Sequence, residues 1–152
     1  MTAEDNLAKL GLTLPDLPRP IANYVSWKRA GDMLYLSGQG PRRNDGTLHT
    51  GIVGKDVSVK EAYGHAQLVG LGLLAAMKQA AGDLDKVEVI KVLGMVRGTP
   101  EFGEQPAVIN GCSDLFVNVL GDRGRHARSA VGMGSLPNGI TVEIEAVCRI
   151  LS

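Results

Sequence analysis

The chain has little of what several large protein classes depend on. Its two cysteines, Cys112 and Cys148, lie far apart and outside any CxxC or Cys/His spacing, which excludes a disulfide framework or a zinc motif as the organiser of the fold. They read as buried free thiols. Sixteen Lys+Arg residues balance sixteen Asp+Glu with no run of like charge, so no surface is marked for a nucleic-acid backbone or an acidic membrane. Aromatic residues make up 4% of the chain, too few for a base-stacking platform. No apolar run approaches the roughly 20 residues of a membrane span. The N-terminus "MTAEDNLAKLGLTLPDLPRP" is acidic early and lacks the basic start and apolar stretch of a secretion signal. The expectation is a cytoplasmic protein, without membrane or nucleic acid, whose partner is a small molecule or another protein. No His, Cys and carboxylate set has ligand spacing, so no metal is expected. "GLGLL" lacks the strand-turn-helix setting of a nucleotide loop, so no organic cofactor is expected either.

What is present is well punctuated. A length of 152 residues suits one domain, residues 1–152, with one core and no linker. Residues 1–20 read as an extended, Pro-rich lead. "YVSWKRAGDMLYLSG" predicts strands at about 25–30 and 33–37 joined at "AGD". "QGPRRNDGTLHTGIVGKDVS" predicts a loop, with a short strand near Gly51 to Val53. Ser58 caps a long helix over 59–81, in which Ala62, Ala66, Val69, Leu73, Met77 and Ala80 recur at helical spacing and Gly82 stops the helix. Gly70 and Gly72 inside it suggest close packing. "VEVIKVLGMV" is a strand over 87–96. Pro106 opens a second helix, whose Ile109, Cys112, Phe116 and Val119 share a face before Gly121. Strands at about 127–133 and 140–150 follow, joined by a turn at "SLPNG". The order ββ(β)αβαββ is an α+β sheet with two helices on one face.

The last strand, "ITVEIEAVCRI", puts Val142, Ile144, Ala146, Cys148 and Ile150 on one face, and Glu143, Glu145, Val147 and Arg149 on the other. The strands at 33–37 and 87–96 are apolar on both faces. Two helices cover only one side, which leaves an apolar surface that monomers seldom expose. A symmetric homo-oligomer covers it economically. Arg128 and the two glutamates would then lie along a subunit seam.

Three spaced signatures carry a resemblance. "SGQGP" resembles an SGQ-x-P motif, "ARSAV" an ARS-x-V motif, and "LPNGITVEIEA" a longer motif ending in E-(I/V)-E-A. In this order, over about 24–150, the chain resembles the reactive intermediate deaminase family, RidA/YjgF, formerly labelled L-PSP endoribonuclease. The texture of 92–132 resembles its YjgF-like endoribonuclease-domain branch. The resemblance implies a chorismate-mutase-like fold and a homotrimer with a cleft at each subunit interface. It also implies hydrolysis of a small 2-imino acid to a 2-oxo acid and ammonia. By the same resemblance Arg128 holds the substrate carboxylate and Glu143 stands near the attacking water. Tyr24, Ser37, Gly38, Asn110 and the backbone of Ala130 then bind substrate. Many deaminases carry cysteine where this chain has Ala130. A planar guanidinium fork suits a carboxylate better than lysine does.

Each residue also has a plainer reading. Arg128 can pair with a glutamate across the seam. Glu143 can be an interface anchor, and Glu145 shares its parity. Asn110 can make an ordinary helix side-chain bond, and His126, whose place beside Arg128 invites a general-base role, can be a solvated loop histidine. His49 and His65 carry no supporting motif. Beside the deaminase reading stands a non-catalytic, small-carboxylate-binding or protein-interaction trimer, and third an endoribonuclease-type activity.

Overall fold

The computed structural model describes residues 1–19 and 22–152. Its elements are α1 (Ala3–Lys9), β1 (Trp27–Ala30), β2 (Met33–Gln39), α2 (Val59–Ala81), β3 (Val87–Arg97), α3 (Gln105–Leu120), β4 (Ala127–Met133) and β5 (Val142–Ile150). The sheet order is β1-β2-β5-β3-β4. Neighbours are antiparallel except β3 and β4, which run parallel. A parallel pair needs a crossover, and α3 supplies it. The α+β class and the order of the main elements are those expected from the hydrophobic periods.

Two expectations are corrected. Residues 1–19 are not wholly extended, because α1 forms at their start; Pro20, the last residue of the expected lead, lies outside the described residues. The cause is a capping box in "TAED": the Thr2 hydroxyl accepts from the Asp5 amide, and the Asp5 carboxylate accepts from the Thr2 amide. The helix docks by burying Ala3 and Leu7, and the Asn6 side-chain amide donates to the Val119 carbonyl at 2.9 Å. The short strand near Gly51 to Val53 is instead a series of isolated bridges, Thr50 to Ile140 and Val53 to Gly98. Gly51 and Gly54 there have φ of 135° and 92°, which interrupt extended backbone on either side of Val53.

Helix α2 begins at a Ser58–Glu61 capping box and ends at Gly82 in the left-handed region, with φ 79°. Its buried stripe and that of α3 meet the sheet through Leu34, Leu73, Ile109, Phe116 and Ile144, all fully buried. The two helices approach closely. A Cβ at Gly111 would stand 2.0 Å from the Tyr63 carbonyl oxygen, and one at Gly70 would stand 2.9 Å from Leu115 Cδ2. Glycine at these positions serves contact between helices, as expected for Gly70, and Gly72 makes room for Gln39 of β2, whose side-chain amide donates to the Gly72 carbonyl at 3.2 Å.

Register sorts the sheet's two faces. Leu34, Leu36, Val92, Ile144 and Ala146 point to the helices and are buried. On the other face Glu145 lies beside Leu93, and Glu143 beside Met95. Ser129 and Val131 continue these rows onto β4. Tyr35 and Val131 on this open face are 48% and 38% exposed, so the second face is mixed, with exposed apolar side chains among Glu143, Glu145 and Ser129.

Candidate functional site

The expected site residues fall into two groups on opposite faces of the sheet. Arg128 pairs in register with Val92, and Val92 with Ala146, so Arg128 belongs to the helix-facing row. Its side chain reaches α3, where Nη1 donates to Asn110 Oδ1 at 2.8 Å and to Ser113 Oγ at 3.1 Å. Asn110 and Ser113 are three residues apart and so share one helix face. Neither anchor is charged, and none of the ion pairs among the described residues includes Arg128. With Nη1 tethered twice, the edge formed by Nε and Nη2 has no hydrogen-bond partner among the described residues. That edge is a planar donor fork able to take a carboxylate side-on. Ala130 lies two residues along β4 on the same face, half-buried against the core.

The second group surrounds a cavity of about 260 Å3 lined by Tyr24, Ser37, Gly38, Arg42, Asn138 and Glu143, among others. An irregularity between Leu36 and Gln39 in β2 creates it. Leu36 and Gln39 both face the helices, so Ser37 and Gly38 form a bulge that bends the strand beside Glu143. The Ser37 hydroxyl donates to the Val25 carbonyl at 2.6 Å, tying the bulge to the segment that carries Tyr24. Gly38 lets the Glu143 side chain lie against the strand: a Cβ there would stand 2.8 Å from Glu143 Oε2 and would push the carboxylate aside. The turn before β5 holds Asn138 and Gly139 at φ 59° and 70°, the Asn-Gly geometry expected of "SLPNG".

Burial and then the neighbouring Glu145 raise the Glu143 pKa above the ordinary carboxylate value. Glu143 is the half-buried member of the pair and Glu145 the exposed one. Both stand on the open face, so neither meets Arg128 within one chain. The reason is period two: 143 and 145 share parity, but the pairing of β3 with both β4 and β5 puts residue 128 in register with 146.

Two further residues join the site: Ser113, which the sequence reading did not single out, and His126, which it read as a solvated loop histidine. Ser113 is a second anchor of Arg128. His126 is half-buried rather than solvated, set edge-on to Phe116 with ring centroids 5.8 Å apart. Its Nδ1 stands 2.6 Å from the Gly124 carbonyl and its Nε2 2.9 Å from Ser113 Oγ. The signals existed: Ser113 is three residues after Asn110, and His126 has the strand parity of Arg128. Cys112 and Cys148 are buried free thiols, and burial pushes the Cys148 thiol up to about 12, which leaves it unreactive at neutral pH. His49 and His65 stack with centroids 4.1 Å apart.

A family model described as "YjgF/chorismate_mutase-like, putative endoribonuclease" matches residues 4–144. The chain belongs to the YjgF/RidA family. It is 42% identical to protein TCP17 of Trypanosoma cruzi over 95% of this chain and 92% of that one. A crystal structure of a protein of unknown function from Agrobacterium tumefaciens superposes with a TM-score of 0.90, at 48% identity, over 98% of this chain and 94% of that one. RidA from an Antarctic Psychrobacter is similar at 25% identity with a TM-score of 0.61, covering 88% of this chain and 94% of that one. Membership in the YjgF/RidA family and its chorismate-mutase-like fold are thereby shown. Among the described residues, no helix is long and apolar enough to cross a membrane.

Proposed function

We propose that this protein is an imine hydrolase that converts small 2-imino acids to 2-oxo acids and ammonia, in clefts between the subunits of a cytoplasmic homotrimer. The observation that carries this reading is the free Nε–Nη2 edge of Arg128, held in place by two neutral side chains and no carboxylate. An arginine kept for an internal ion pair would have its fork filled. This one is anchored by one nitrogen and offers the other two.

In the proposed reaction the substrate carboxylate occupies the Arg128 fork. A water held near Glu143 gives up a proton to the Glu143 carboxylate as its oxygen attacks the C=N carbon, and Glu143 passes that proton to the imine nitrogen, giving a neutral tetrahedral carbinolamine. Glu143 then takes the carbinolamine hydroxyl proton and delivers it to the nitrogen as the C–N bond breaks and the C=O bond forms, so that ammonia leaves the 2-oxo acid. The raised affinity of Glu143 for a proton suits a group that must both accept and return one. The C=N bond is already electrophilic, so positioning and proton transfer suffice.

The homotrimer supplies what one chain separates. Arg128 and Glu143 lie on opposite faces, and β4 is an edge strand. A second copy laid against the open face brings the Arg128 half of one subunit to the Tyr24, Ser37, Gly38 and Glu143 half of another. The same contact covers Tyr35 and Val131. Family resemblance favours three copies.

A second reading is a small-carboxylate-binding trimer without catalysis. It is favoured by the independence of the Arg128 anchor from Glu143: the clamp is complete on α3 and β4 alone. Endoribonuclease activity, the activity named in the family description, has less support because the chain's formal net charge is zero. The test follows 2-oxo acid release from freshly generated 2-imino acids of differing side chain, with an RNA substrate in parallel and subunit mass by light scattering. Accelerated release by a trimer is expected. A trimer that binds 2-oxobutyrate without accelerating release would establish the binding reading, and a monomer at micromolar concentration would remove the shared cleft.

A further inference from the structure

We propose that Ser113 and His126 are positioning residues of the carboxylate clamp, the imidazole fixing the direction of the Ser113 hydroxyl and thereby the orientation of the Arg128 fork. This rests on the reading of Arg128 as a carboxylate clamp. It adds an element that neither the spacing of the family motifs nor the other site residues assign.

The hydrogen bonds leave one consistent direction. A carbonyl can only accept, so the 2.6 Å contact with Gly124 puts the proton on Nδ1 of His126. In the neutral ring Nε2 is then an acceptor, and the Ser113 hydroxyl 2.9 Å away donates to it. With its proton committed, the Ser113 oxygen presents its lone pairs to Arg128 Nη1 at 3.1 Å. The order is guanidinium to hydroxyl, hydroxyl to imidazole, imidazole to carbonyl. Each donor is spent on one acceptor, and Asn110 holds the same Nη1 from the previous turn of α3.

The surroundings keep the ring neutral. Burial lowers the His126 pKa, the Gly124 carbonyl opposes this, and the Arg128 cation adds to it. Facing the ring from α3 are Ser113 and Phe116, which carry no charge. From β4 comes Arg128. The 3-10 turn beneath contributes the Gly124 carbonyl, and its charged pair, Arg125 with Asp122, is turned to solvent.

Protonation reverses the middle bond. Nε2 gains a proton and becomes a donor to Ser113 Oγ, so two cationic donors converge on one oxygen. Arg128 then loses an anchor while facing a like charge. Because the His126 pKa is lowered, the ring is neutral and the relay intact at neutral pH, and the relay is lost as pH falls through a value below the ordinary histidine range.

Nitrogen-15 NMR of the imidazole and guanidinium, together with 2-oxobutyrate titration from neutral to acid pH, tests this on the full chain. The expected wild-type protein shows the Nδ1–H tautomer, resolved Arg128 Nη resonances, and an affinity that falls as the ring protonates. His126→Ala and Ser113→Ala should each blur the Nη resonances and weaken 2-oxobutyrate binding about 3- to 10-fold, the effect of one hydrogen bond, with subunit mass unchanged. His126→Gln, whose amide oxygen can accept from Ser113, should recover most of the affinity and flatten its pH dependence. In turnover the loss should appear in KM and not in kcat. Wild-type guanidinium order and affinity in His126→Ala, or an Nε2–H tautomer in the wild type, would overturn the proposal. An ordered guanidinium and Nδ1–H ring in a protein that binds no 2-oxo acid would support the relay and instead remove the carboxylate clamp.

Discussion

Arg128→Lys separates the geometry of the clamp from its charge. A lysine ammonium has three donors. In the wild type two N–H groups reach Asn110 and Ser113 at 2.8 and 3.1 Å, both from Nη1. A lysine that keeps both contacts has one donor left for a ligand, whereas the guanidinium keeps the coplanar pair on Nε and Nη2. The substitution therefore removes one charge-assisted hydrogen bond and the alignment of the other. Such a bond is worth about 1.5 to 3 kcal/mol, which at about 1.4 kcal/mol per decade is roughly a 10- to 150-fold loss of 2-oxobutyrate affinity. Stability should change by less than about 1 kcal/mol, because the site is partly exposed and no ion pair within the chain is broken. Isothermal titration, light scattering and thermal melting measure the three quantities. An assembled Arg128→Lys protein with wild-type affinity refutes the fork. A dissociated one, matched by dissociation in Glu143→Gln, moves Arg128 into a seam ion pair.

Glu143→Gln should lower turnover by about 100-fold, within the usual range for losing a general base, while leaving 2-oxobutyrate affinity near wild type. Glu145→Gln should shift the acid limb of kcat/KM to lower pH. Burial and then Glu145 hold the Glu143 pKa up, the working base exists only above that pKa, and removing the neighbouring charge lowers it. Because a raised carboxyl pKa costs stability once the group ionises, Glu145→Gln should also melt higher than wild type at neutral pH; an unmoved acid limb would separate Glu143 from the chemistry. Gly111→Ala places a Cβ 2.0 Å from the Tyr63 carbonyl oxygen, a backbone atom, and overpacking of this kind should cost about 3 kcal/mol in urea denaturation; a wild-type midpoint would contradict the helix spacing. Thr2→Ala removes half of the capping box and should weaken α1 by about 1 kcal/mol, visible as faster amide exchange at Asn6 to Lys9 with β3 unchanged.

Most of the secondary structure was legible because it depends on short-range periodicity. The repeat from Ala62 to Met77 identified α2, the alternation from Val142 to Ile150 identified β5, and Ser58, Gly82 and Asn138-Gly139 marked boundaries by backbone chemistry. The "TAED" capping signal is equally local, although the Pro-rich stretch after it reads as extended chain. The sequence also determined that Tyr35 of β2 and Leu93 and Met95 of β3 bring apolar side chains to the sheet's second face, since that follows from the period of the two strands.

Which residues meet was decided by tertiary structure. Whether Arg128 shares a face with Glu143 depends on the registers of β4 and β5 against β3, which are set by pairings between residues far apart in the chain. That Gly111 lies against the Tyr63 backbone with no room for a Cβ, and that Gly38 and Gly72 lie against the ends of the Glu143 and Gln39 side chains, could not be read from the glycines themselves. The half-burial of Glu143, and with it the rise in its pKa, requires the β2 bulge, the Tyr24 segment and the turn at Asn138 to converge. The direction of the bonds from Arg128 through Ser113 to His126 requires α3 to lie across β4. Local chemistry chose the elements; long-range packing chose their partners, because burial energy is gained only when segments distant in sequence come into contact.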